Sequence, residues 1–441
     1  MATFYLSLMM SSKPIGIWHF EQWLPPFPRR VSMGEGQNPL LEIPSHVKSS
    51  LVDTRLINEL YFKNETVNPT GSFRDRAAAL VISEALSKSY DSVVVASDGN
   101  HGVSVAAYAA YAGIRCHCIA PHRTDVGKVR IMEIYGASID ADSEESLLGA
   151  LLRSDQYAEE WASFQASVER NNTCLIGQQT LAFELANEDI LRDKDYVLLV
   201  PTGSGSLIYS LWEGFSRVKQ SGEISTIPRL CAVQVEGYDP ISSLLHSQKL
   251  VPQKDNDDIF VSPLMIDLPA YKEQAVAAIR KSSGDSFSID RRRVANAAVQ
   301  LARSFGFFVE TATASAISAL PLLRSHPQLS DFPVVVILTG SGIKTPEVFP
   351  FHSQMHLEKS PTELLPTSMK VAILKILEDR NEASGREIWR FLGRKCSAQV
   401  IYQHLRDLRE KGFIQQLDQV GRTKRYHMTT RGFKLLEALR D

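Results

Sequence analysis

Apolar and polar residues alternate along most of the chain with the spacing of two kinds of element. Short β-branched runs at 93–96 and 116–120 have the length and composition of buried strands, whereas alanine-rich stretches at 77–87 and 103–112 have the composition of helices. Gly stands at the switches over 97–102 and 113–115. This order predicts βαβ units on a parallel sheet, and therefore an α/β fold.

The alternation continues to residue 345, and a different pattern follows. Three more buried strands are predicted at 196–200, 231–235 and 334–338, and a mainly helical stretch at 145–195. Prolines at 346, 350, 361 and 366 indicate a linker over 346–367. Beyond it, the spacing predicts helices at 369–379, 386–392, 397–411 and 430–440 and strands at 413–417 and 423–428. We therefore expect an α/β region over 1–345, a linker, and a C-terminal region over 368–441.

The composition is that of an ordinary globular protein, but the charge is unevenly distributed. Of the 441 residues, 44% are hydrophobic and 22% are charged, and the formal net charge is −2. Residues 368–441 hold 16 Lys and Arg against 9 Asp and Glu, a surplus of 7, whereas residues 1–367 hold 32 against 41. The C-terminal region is therefore a basic module on an acidic body.

Cysteine spacing and hydrophobicity exclude several classes of protein. The five cysteines, at 116, 118, 174, 231 and 396, have neither paired metal-ligand spacing nor the pattern of a disulfide framework, so no metal site is predicted. No run of residues approaches the length of a membrane span, and the apolar first ten residues lack the positive charge and cleavage site of a signal peptide. We expect a cytoplasmic protein with no membrane partner.

Three turns of Gly, Pro and small polar residues precede predicted helices. Residues 68–76 have the sequence NPTGSFRDR, residues 97–102 SDGNHG, and residues 201–208 PTGSGSLI. A helix that follows such a turn begins with N–H groups that have no acceptor within the helix, so the turn favours an anion. In the third turn, small residues allow the backbone to close on a phosphate.

These turns resemble, in order and in sequence, motifs of threonine synthase and its relatives in the tryptophan synthase β-like group, the fold-type II enzymes that use pyridoxal phosphate (PLP). The first resembles N-P-T-G-S-F-K-D-R, the second S-x-G-N-H-G and the third P-x-G-x-G-x-L, while TGSGIK at 339–344 resembles T-G-x-G-L-K. Six ordered motifs extend the resemblance over residues 18–345. It implies two αβα subdomains with PLP as the cofactor.

The resemblance also implies a role for each matching residue. In the family, a small-residue turn holds the cofactor phosphate, an Asn bonds the 3′ oxygen, a Thr hydroxyl meets the pyridine nitrogen, and the GNHG loop holds the substrate carboxylate. The matching residues are Gly203, Ser204, Gly205 and Ser206 for the phosphate, Asn100 and Thr339 for the ring, and Ser97, Gly99 and His101 for the substrate.

Two positions depart from the family pattern. Arg74 stands where the family has the lysine that bonds to the cofactor and then transfers protons, and a guanidinium does neither because it is never deprotonated in a protein. Asp98 replaces the usual Ser or Thr and resembles the loop of diaminopropionate ammonia-lyase, which implies an acid or base; it is equally a candidate cap for the next helix. Lys63 and Lys128 are candidates for an amine near Arg74 in space.

The C-terminal region resembles a winged helix-turn-helix of the archaeal and bacterial regulator type. The resemblance implies that the third helix enters the major groove of double-stranded DNA and that the basic hairpin meets phosphates. The candidate DNA-binding residues are Ser397, Gln399, Gln403 and Arg406 on the helix and Arg422, Lys424 and Arg425 on the hairpin. Dimerisation, protein docking and a merely solvated basic face are the alternatives.

Three functions are compatible with this combination. The first is a sensor that binds PLP, non-covalently, or a PLP–amino acid adduct, and passes its occupancy to the DNA-binding region. The second is an active lyase or synthase, of the threonine synthase or ammonia-lyase type, with a relocated base such as Asp98. The third is a scaffold that has lost the cofactor. The missing lysine together with the added basic module favours the sensor, and both parent families imply a homodimer.

Overall fold

The computed structural model divides into two compact units, Met1–Pro350 and Phe351–Asp441. The division falls within the stretch predicted as a linker. The structure describes residues 15–44, 57, 59–97, 99–121, 124–141, 146–192, 194–250, 262–266, 268–345, 368–393, 398–417 and 424–438.

The first unit alternates strands and helices through its described residues. The strands are β1 Leu40–Glu42, β2 Leu60–Asn64, β3 Ser92–Ala96, β4 Arg115–Ile119, β5 Ser138–Asp140, β6 Phe164–Gln165, β7 Val197–Pro201, β8 Arg229–Val235, β9 Ser286–Ile289 and β10 Val334–Leu338. The α-helices are α1 Arg74–Ser87, α2 Asn100–Ala112, α3 Val126–Ile134, α4 Leu147–Glu160, α5 Asn172–Ala186, α6 Ser206–Gln220, α7 Pro240–Leu245, α8 Lys272–Lys281, α9 Arg291–Phe305, α10 Thr311–Ser318 and α11 Leu320–Arg324. Short 3₁₀ turns lie at Gly16–Trp23, Glu65–Val67, Asp189–Leu191, Ser262–Leu264 and Gly342–Lys344.

The strands of this unit form two sheets. A six-stranded sheet has the order β1-β2-β10-β7-β8-β9, in which β1 is antiparallel to β2 and all other neighbours are parallel. A four-stranded parallel sheet has the order β5-β4-β3-β6. Parallel sheets connected by helices confirm the α/β fold predicted from the sequence.

Strand β10 shows why the larger sheet is buried on both faces. Val334, Val336 and Leu338 pack into one hydrophobic core, and Val335 and Ile337 pack into another on the opposite face, because side chains alternate along a strand. The five side chains are at most 1% exposed. Full burial of one such side chain contributes about 1.5–3 kcal/mol. These contacts hold β10, and the turn that follows it, at the centre of the sheet.

The described part of the C-terminal unit combines helices with a small sheet. The helices are α12 Ser368–Arg380, α13 Gly385–Phe391, α14 Ala398–Glu410 and α15 Thr430–Ala438, and the strands are β11 Glu382–Ser384, β12 Ile414–Gln416 and β13 Arg425–Met428. The sheet is antiparallel in the order β11-β13-β12. Ile401, Leu405 and Leu408 of α14 are buried in the core of this unit. A capping box of Ser384 and Glu387 begins α13.

Three elements differ from the sequence prediction. Helix α1 begins at Arg74, whereas the alanine-rich pattern predicts a start at Ala77, so Arg74 lies in the first helical turn. The short strand β6 interrupts the stretch predicted as helical at 145–195. Strand β11 is not predicted because three residues are too few to show a periodicity.

Among the helices of the described residues, none has both the length and the apolar character that crossing a membrane requires.

Candidate functional site

Two turns that are far apart in sequence lie side by side in the first unit. One is the turn over 68–76, and the other follows β10. The Phe73 N–H donates to the Thr339 carbonyl at 3.1 Å, and the Ser341 N–H donates to the Gly71 carbonyl at 2.9 Å. Backbone hydrogen bonds therefore join the start of α1 to the end of β10.

Arg74 faces the third turn singled out in the sequence. It is the first residue of α1, and its Nη1 lies 3.4 Å from the Ser206 Oγ at the start of α6. Its guanidinium carbon lies 4.7 Å from the centroid of the Phe73 ring. A planar cation beside a helix N-terminus suits a phosphate, which accepts several N–H bonds from it. The chemistry available at this position is therefore anion binding.

The turn between β7 and α6 has the geometry of an anion-binding loop. Gly205 has φ +84°, a left-handed conformation that glycine adopts without strain. A Cβ at Gly203 would lie 2.3 Å from the Pro263 carbonyl oxygen, so this position also requires glycine. The Oγ atoms of Ser204 and Ser206 lie 3.2 Å apart. Two hydroxyls thus stand beside the N–H groups of the helix start.

One pocket brings most of the predicted site residues together. It is lined by Phe73, Arg74, Asn100, His101, Leu147, Glu169, Pro201, Thr202, Gly203, Ser204, Gly205, Ser206, Leu207, Pro263, Leu264, Ile266, Glu310, Ala312 and Thr339. Ser97 and Gly99 do not line it. The buried Ser97 Oγ accepts from the N–H groups of Gly99 at 3.2 Å and of Gly102 at 2.9 Å, and so holds the turn before α2. Asp98 lies outside the described residues.

His101 contributes an acceptor to the pocket. Its Nε2 donates to the Ala166 carbonyl at 2.8 Å, because a carbonyl oxygen can only accept. Burial, with a smaller contribution from the charge of Arg74, lowers the pKa of His101 to about 3, so the ring is neutral at pH 7. Its Nδ1 is buried and has no hydrogen-bond partner among the described residues. A neutral ring in this tautomer offers Nδ1 to a ligand N–H or O–H group.

Thr339 is the residue that the resemblance assigns to contact with the pyridine nitrogen. Its hydroxyl oxygen lies 2.8 Å from the Thr313 hydroxyl oxygen in α10. Thr313 in turn accepts from the Gly340 N–H at 3.0 Å. Thr313 lies outside the motifs quoted from the sequence and is not marked by them. The two hydroxyls place a neutral donor and acceptor at this end of the pocket.

A buried cluster of opposite charges stands behind Asn100. The Asn100 Nδ2 donates to the Glu310 Oε2 at 2.6 Å, and the other carboxylate oxygen lies 3.4 Å from the Lys128 Nζ and 3.8 Å from the Lys344 Nζ. Burial opposes ionisation of Glu310, but the two ammonium groups and the Asn100 hydrogen bond lower its pKa below the ordinary value. Of the two lysines, only Lys128 is a candidate from the sequence.

Lys63, the other lysine considered as a neighbour of Arg74, belongs to a different network. Its Nζ lies 2.8 Å from Glu184 and 2.9 Å from Glu188. The Arg76 Nη2 forms an ion pair with the Oε2 of the same Glu184 at 2.7 Å. These buried pairs compensate one another's charges within the fold. Lys63 is therefore held by ion pairs and is not among the residues that line the pocket.

The lining residues fit the phosphate of PLP but not its usual lysine anchor. Arg74 and the Ser206 hydroxyl lie together at the helix start that a phosphate requires. Asn100, His101 and Thr339 line the remainder of the pocket, and the His101 Nδ1 accepts no hydrogen bond from the described residues. At the lysine position itself there is a guanidinium, which cannot bond to an aldehyde.

In the C-terminal unit, α14 presents two of the candidate DNA-binding residues to solvent. Gln403 and Arg406 are exposed, while the apolar residues of the same helix are buried. Gln399 lies in the first turn of the helix. Ser397 lies outside the described residues. The helix therefore has one apolar face and one exposed polar face.

The hairpin candidates are placed differently from one another. Lys424 is exposed. The Arg425 Nε lies 3.1 Å from Glu382 of β11, and its Nη1 lies 3.5 Å from Glu387. Arg425 therefore connects the hairpin to the rest of the unit, and its charge is already paired. Arg422 lies outside the described residues.

Comparison with known proteins adds sequence relatives to this geometry. Residues 31–340 match the family described as "Pyridoxal-phosphate dependent enzyme". The chain is 31% identical over 344 residues to threonine synthase from Methanocaldococcus jannaschii, which covers 77% of this chain and 83% of that protein. It is also 31% identical over 322 residues to threonine synthase from Synechocystis, covering 72% and 79%.

Solved structures show the same fold at lower sequence identity. Maize serine racemase superposes with a TM-score of 0.60 at 20% identity, covering 71% of this chain and 90% of that one. Threonine deaminase isoform 2 from Solanum lycopersicum has a TM-score of 0.58 at 18% identity, covering 76% and 89%. At these identities the likeness establishes the architecture of the first unit only.

Proposed function

Because the chain belongs to the family of pyridoxal-phosphate-dependent enzymes of fold-type II and has threonine synthases among its relatives, we propose that it is a sensor. Its α/β unit binds PLP, or the adduct of PLP with an amino acid, without turning it over. Its C-terminal unit is a winged helix that binds double-stranded DNA. The protein is a cytoplasmic homodimer in which ligand occupancy changes the affinity for DNA.

The position of Arg74 is the observation that carries this proposal. When bound, PLP supplies an aldehyde and an electron-withdrawing ring. The residue at the family's lysine position can neither bond to that aldehyde nor accept a proton, and it lies 3.4 Å from a hydroxyl of the phosphate-type turn. Loss of a positioned proton-transfer group costs about 10²–10⁴-fold in rate. Position 74 therefore retains a group suited to binding and lacks the group that drives turnover in the family.

The order of elements supports the winged-helix assignment. Helices α12, α13 and α14 are followed by strands β12 and β13, and β11 completes a three-stranded antiparallel sheet. Exposed Gln403 and Arg406 lie on the helix that would enter the major groove. The surplus of seven positive charges in 368–441 favours a polyanion as the partner.

An active PLP-dependent lyase or synthase is the second candidate function. The relatives named above are threonine synthases, and two lysines, Lys128 and Lys344, are buried beside the pocket-lining residue Glu310. An amine in this place is a potential base, as Asp98 is in the sequence analysis. Turnover of an amino acid at ordinary enzyme rates, about 1–10³ per second, would favour this candidate over the sensor.

Two binding measurements on the full chain test the sensor. Equilibrium dialysis measures the Kd of PLP, and a gel shift with DNA from upstream of its own operon measures DNA affinity with and without PLP. We expect saturable PLP binding, a shift midpoint that moves with PLP, and a log–log salt slope of about −0.9 per phosphate contact. Absence of PLP binding would remove both candidate functions, and a midpoint that ignores PLP would remove the sensor.

The variant Arg406→Ala tests the proposed recognition helix. If Arg406 contacts a base or a phosphate, its loss weakens DNA binding by about 1–3 kcal/mol or reduces the salt slope by about one unit. Lys375→Ala is the matched control, because Lys375 is an exposed cation on α12 in the same unit. Equal losses for the two variants would contradict a dedicated recognition helix and indicate general electrostatic attraction.

A further inference from the structure

The 3₁₀ turn Gly342–Lys344 returns a lysine side chain to the turn that carries Arg74. The Lys344 Nζ donates to the Gly71 carbonyl at 3.3 Å and to the Asn100 Oδ1 at 2.5 Å. Gly71 is three residues before Arg74, and Asn100 lines the pocket. An amine thus reaches the turn that has lost its own lysine, from the end of β10 instead of from α1.

The surroundings of Lys344 make its ammonium group easier to deprotonate. The side chain is 9% exposed, and its Nζ shares the Glu310 carboxylate with Lys128. Burial lowers the pKa of Lys344 below the ordinary value, and the charge of Lys128 lowers it further, while Glu310 acts in the opposite direction. A neutral amine is the nucleophilic form of lysine.

Two other buried lysines are held in different places. Lys128 is 1% exposed and pairs with Asp125 at 3.2 Å as well as with Glu310. Lys63 lies in the network with Glu184 described above. Of these three side chains, Lys344 is the one whose amine hydrogen-bonds both to the turn of Arg74 and to a pocket-lining residue.

We propose that Lys344 bonds covalently to the aldehyde of PLP and so replaces the missing lysine as the anchor of the cofactor. The inference rests on the proposed function, because it requires that the pocket binds PLP. It adds that the pocket distinguishes PLP, which carries an aldehyde, from pyridoxine phosphate, which carries an alcohol in its place. A covalent anchor of this kind gives the sensor chemical selectivity that hydrogen bonds to the phosphate cannot provide.

The bond-forming step is balanced without a further reactant. The lysine nitrogen adds to the aldehyde carbon, a C=N bond forms, and the aldehyde oxygen leaves as water. Two of the three ammonium protons end in that water, and the third remains on the nitrogen, so no net proton is released. The Glu310 carboxylate, 3.8 Å from the Lys344 Nζ, is the group that relays protons from nitrogen to oxygen.

Borohydride trapping with peptide mapping tests the anchor. The full chain is incubated with PLP, treated with borohydride to fix any C=N bond, digested, and examined by mass spectrometry. We expect the cofactor on the peptide that contains Lys344. Pyridoxine phosphate, which carries an alcohol in place of the aldehyde, should protect that lysine from labelling. A cofactor found on Lys128, or spread over surface lysines without protection, would overturn the inference.

Two charge-preserving variants make the test specific. Lys344→Arg retains the positive charge but cannot form the C=N bond, so it should lose the label and at least about tenfold of the preference for PLP over pyridoxine phosphate, or about 1.4 kcal/mol. Lys128→Arg, at the same carboxylate, should retain the label. An unchanged preference in Lys344→Arg would contradict the anchor even if the variant folds differently, since preference is a ratio measured on one protein.

The same experiment separates this inference from the proposed function. If pyridoxine phosphate and PLP bind saturably and no lysine is labelled, the sensor stands and the Lys344 anchor is wrong. If neither ligand binds, the proposed function is wrong, and the Lys344 anchor is wrong as well because it requires a bound cofactor.

Discussion

The substitution Arg74→Gln tests whether the guanidinium is a phosphate ligand. Glutamine keeps a hydrogen-bonding group but removes the charge. The Arg74 Nη1 lies 3.4 Å from the Ser206 Oγ, so it is placed to donate to a phosphate held at the start of α6. A hydrogen bond to a charged group contributes about 1.5–3 kcal/mol. We therefore expect the Kd of the phosphate ligand to rise about 10–150-fold, since each 1.4 kcal/mol is tenfold.

Equilibrium dialysis with pyridoxine phosphate is the appropriate assay. This ligand has no aldehyde, so its affinity excludes any covalent contribution from Lys344. Arg74→Lys keeps a point charge and should bind more tightly than Arg74→Gln, although without bidentate donation. Arg115→Gln is the matched control, because the Arg115 side chain is 67% exposed in a surface ion pair and its loss should leave the Kd unchanged.

Pyridoxine without phosphate completes the experiment. If Arg74 acts on the phosphate, the difference between wild type and Arg74→Gln disappears when the ligand lacks that group. Equal affinity of the two proteins for pyridoxine phosphate would refute the reasoning. The same conclusion would follow if pyridoxine binding fell by as much as pyridoxine phosphate binding, because Arg74 would then be shaping the pocket and not binding the phosphate.

Two further predictions concern buried ionisable groups. The folded-state pKa of His101, about 3, lies below the unfolded value of about 6.5, so its contribution to stability is complete above pH 6.5 and is lost as pH falls from there towards 3. Between pH 7.5 and pH 5, wild type should therefore lose about 2 kcal/mol more unfolding free energy than His101→Gln, measured by urea denaturation; equal losses would contradict a buried neutral ring. Glu310→Gln removes the shared partner of Lys128 and Lys344 and should cost about 3–5 kcal/mol. The exposed Glu273→Gln is the control, and its unfolding free energy should lie within about 0.5 kcal/mol of wild type. A similarly small cost for Glu310→Gln would mean that its carboxylate does not stabilise the two lysine charges.

The local parts of the site are predictable from sequence. Val334–Leu338 is observed with the predicted bounds, because an unbroken apolar run between a Pro and a Gly leaves little choice of where the strand begins and ends. The turn at 201–208 is likewise found between a strand and a helix, since glycine is favoured at a left-handed φ, as at Gly205, and is needed at a close backbone approach, as at Gly203. Each of these signals lies within about ten residues.

The assembled parts of the site are not predictable in this way. Lys344 and Gly71 are 273 residues apart, and only the hydrogen bonds between their turns show that the amine reaches the altered motif. The start of α1 at Arg74 is missed for a related reason. The helix is extended beyond its alanine-rich part by contacts of Phe73 with the end of β10, which propensity alone does not contain. Long-range pairing therefore decides which amine and which cation face the pocket.

The place of β10 in the larger sheet has a consequence for biosynthesis. This strand lies between β2 and β7, although it is the last strand of its sheet to leave the ribosome. A nascent chain that ends before it exposes the edges of both neighbours, which are sites for wrong pairing. Once β10 emerges, the same event closes the sheet and delivers Thr339 and Lys344 to the first turn. Translation products that end before β10 therefore lack both a complete sheet and the pocket residues that follow this strand.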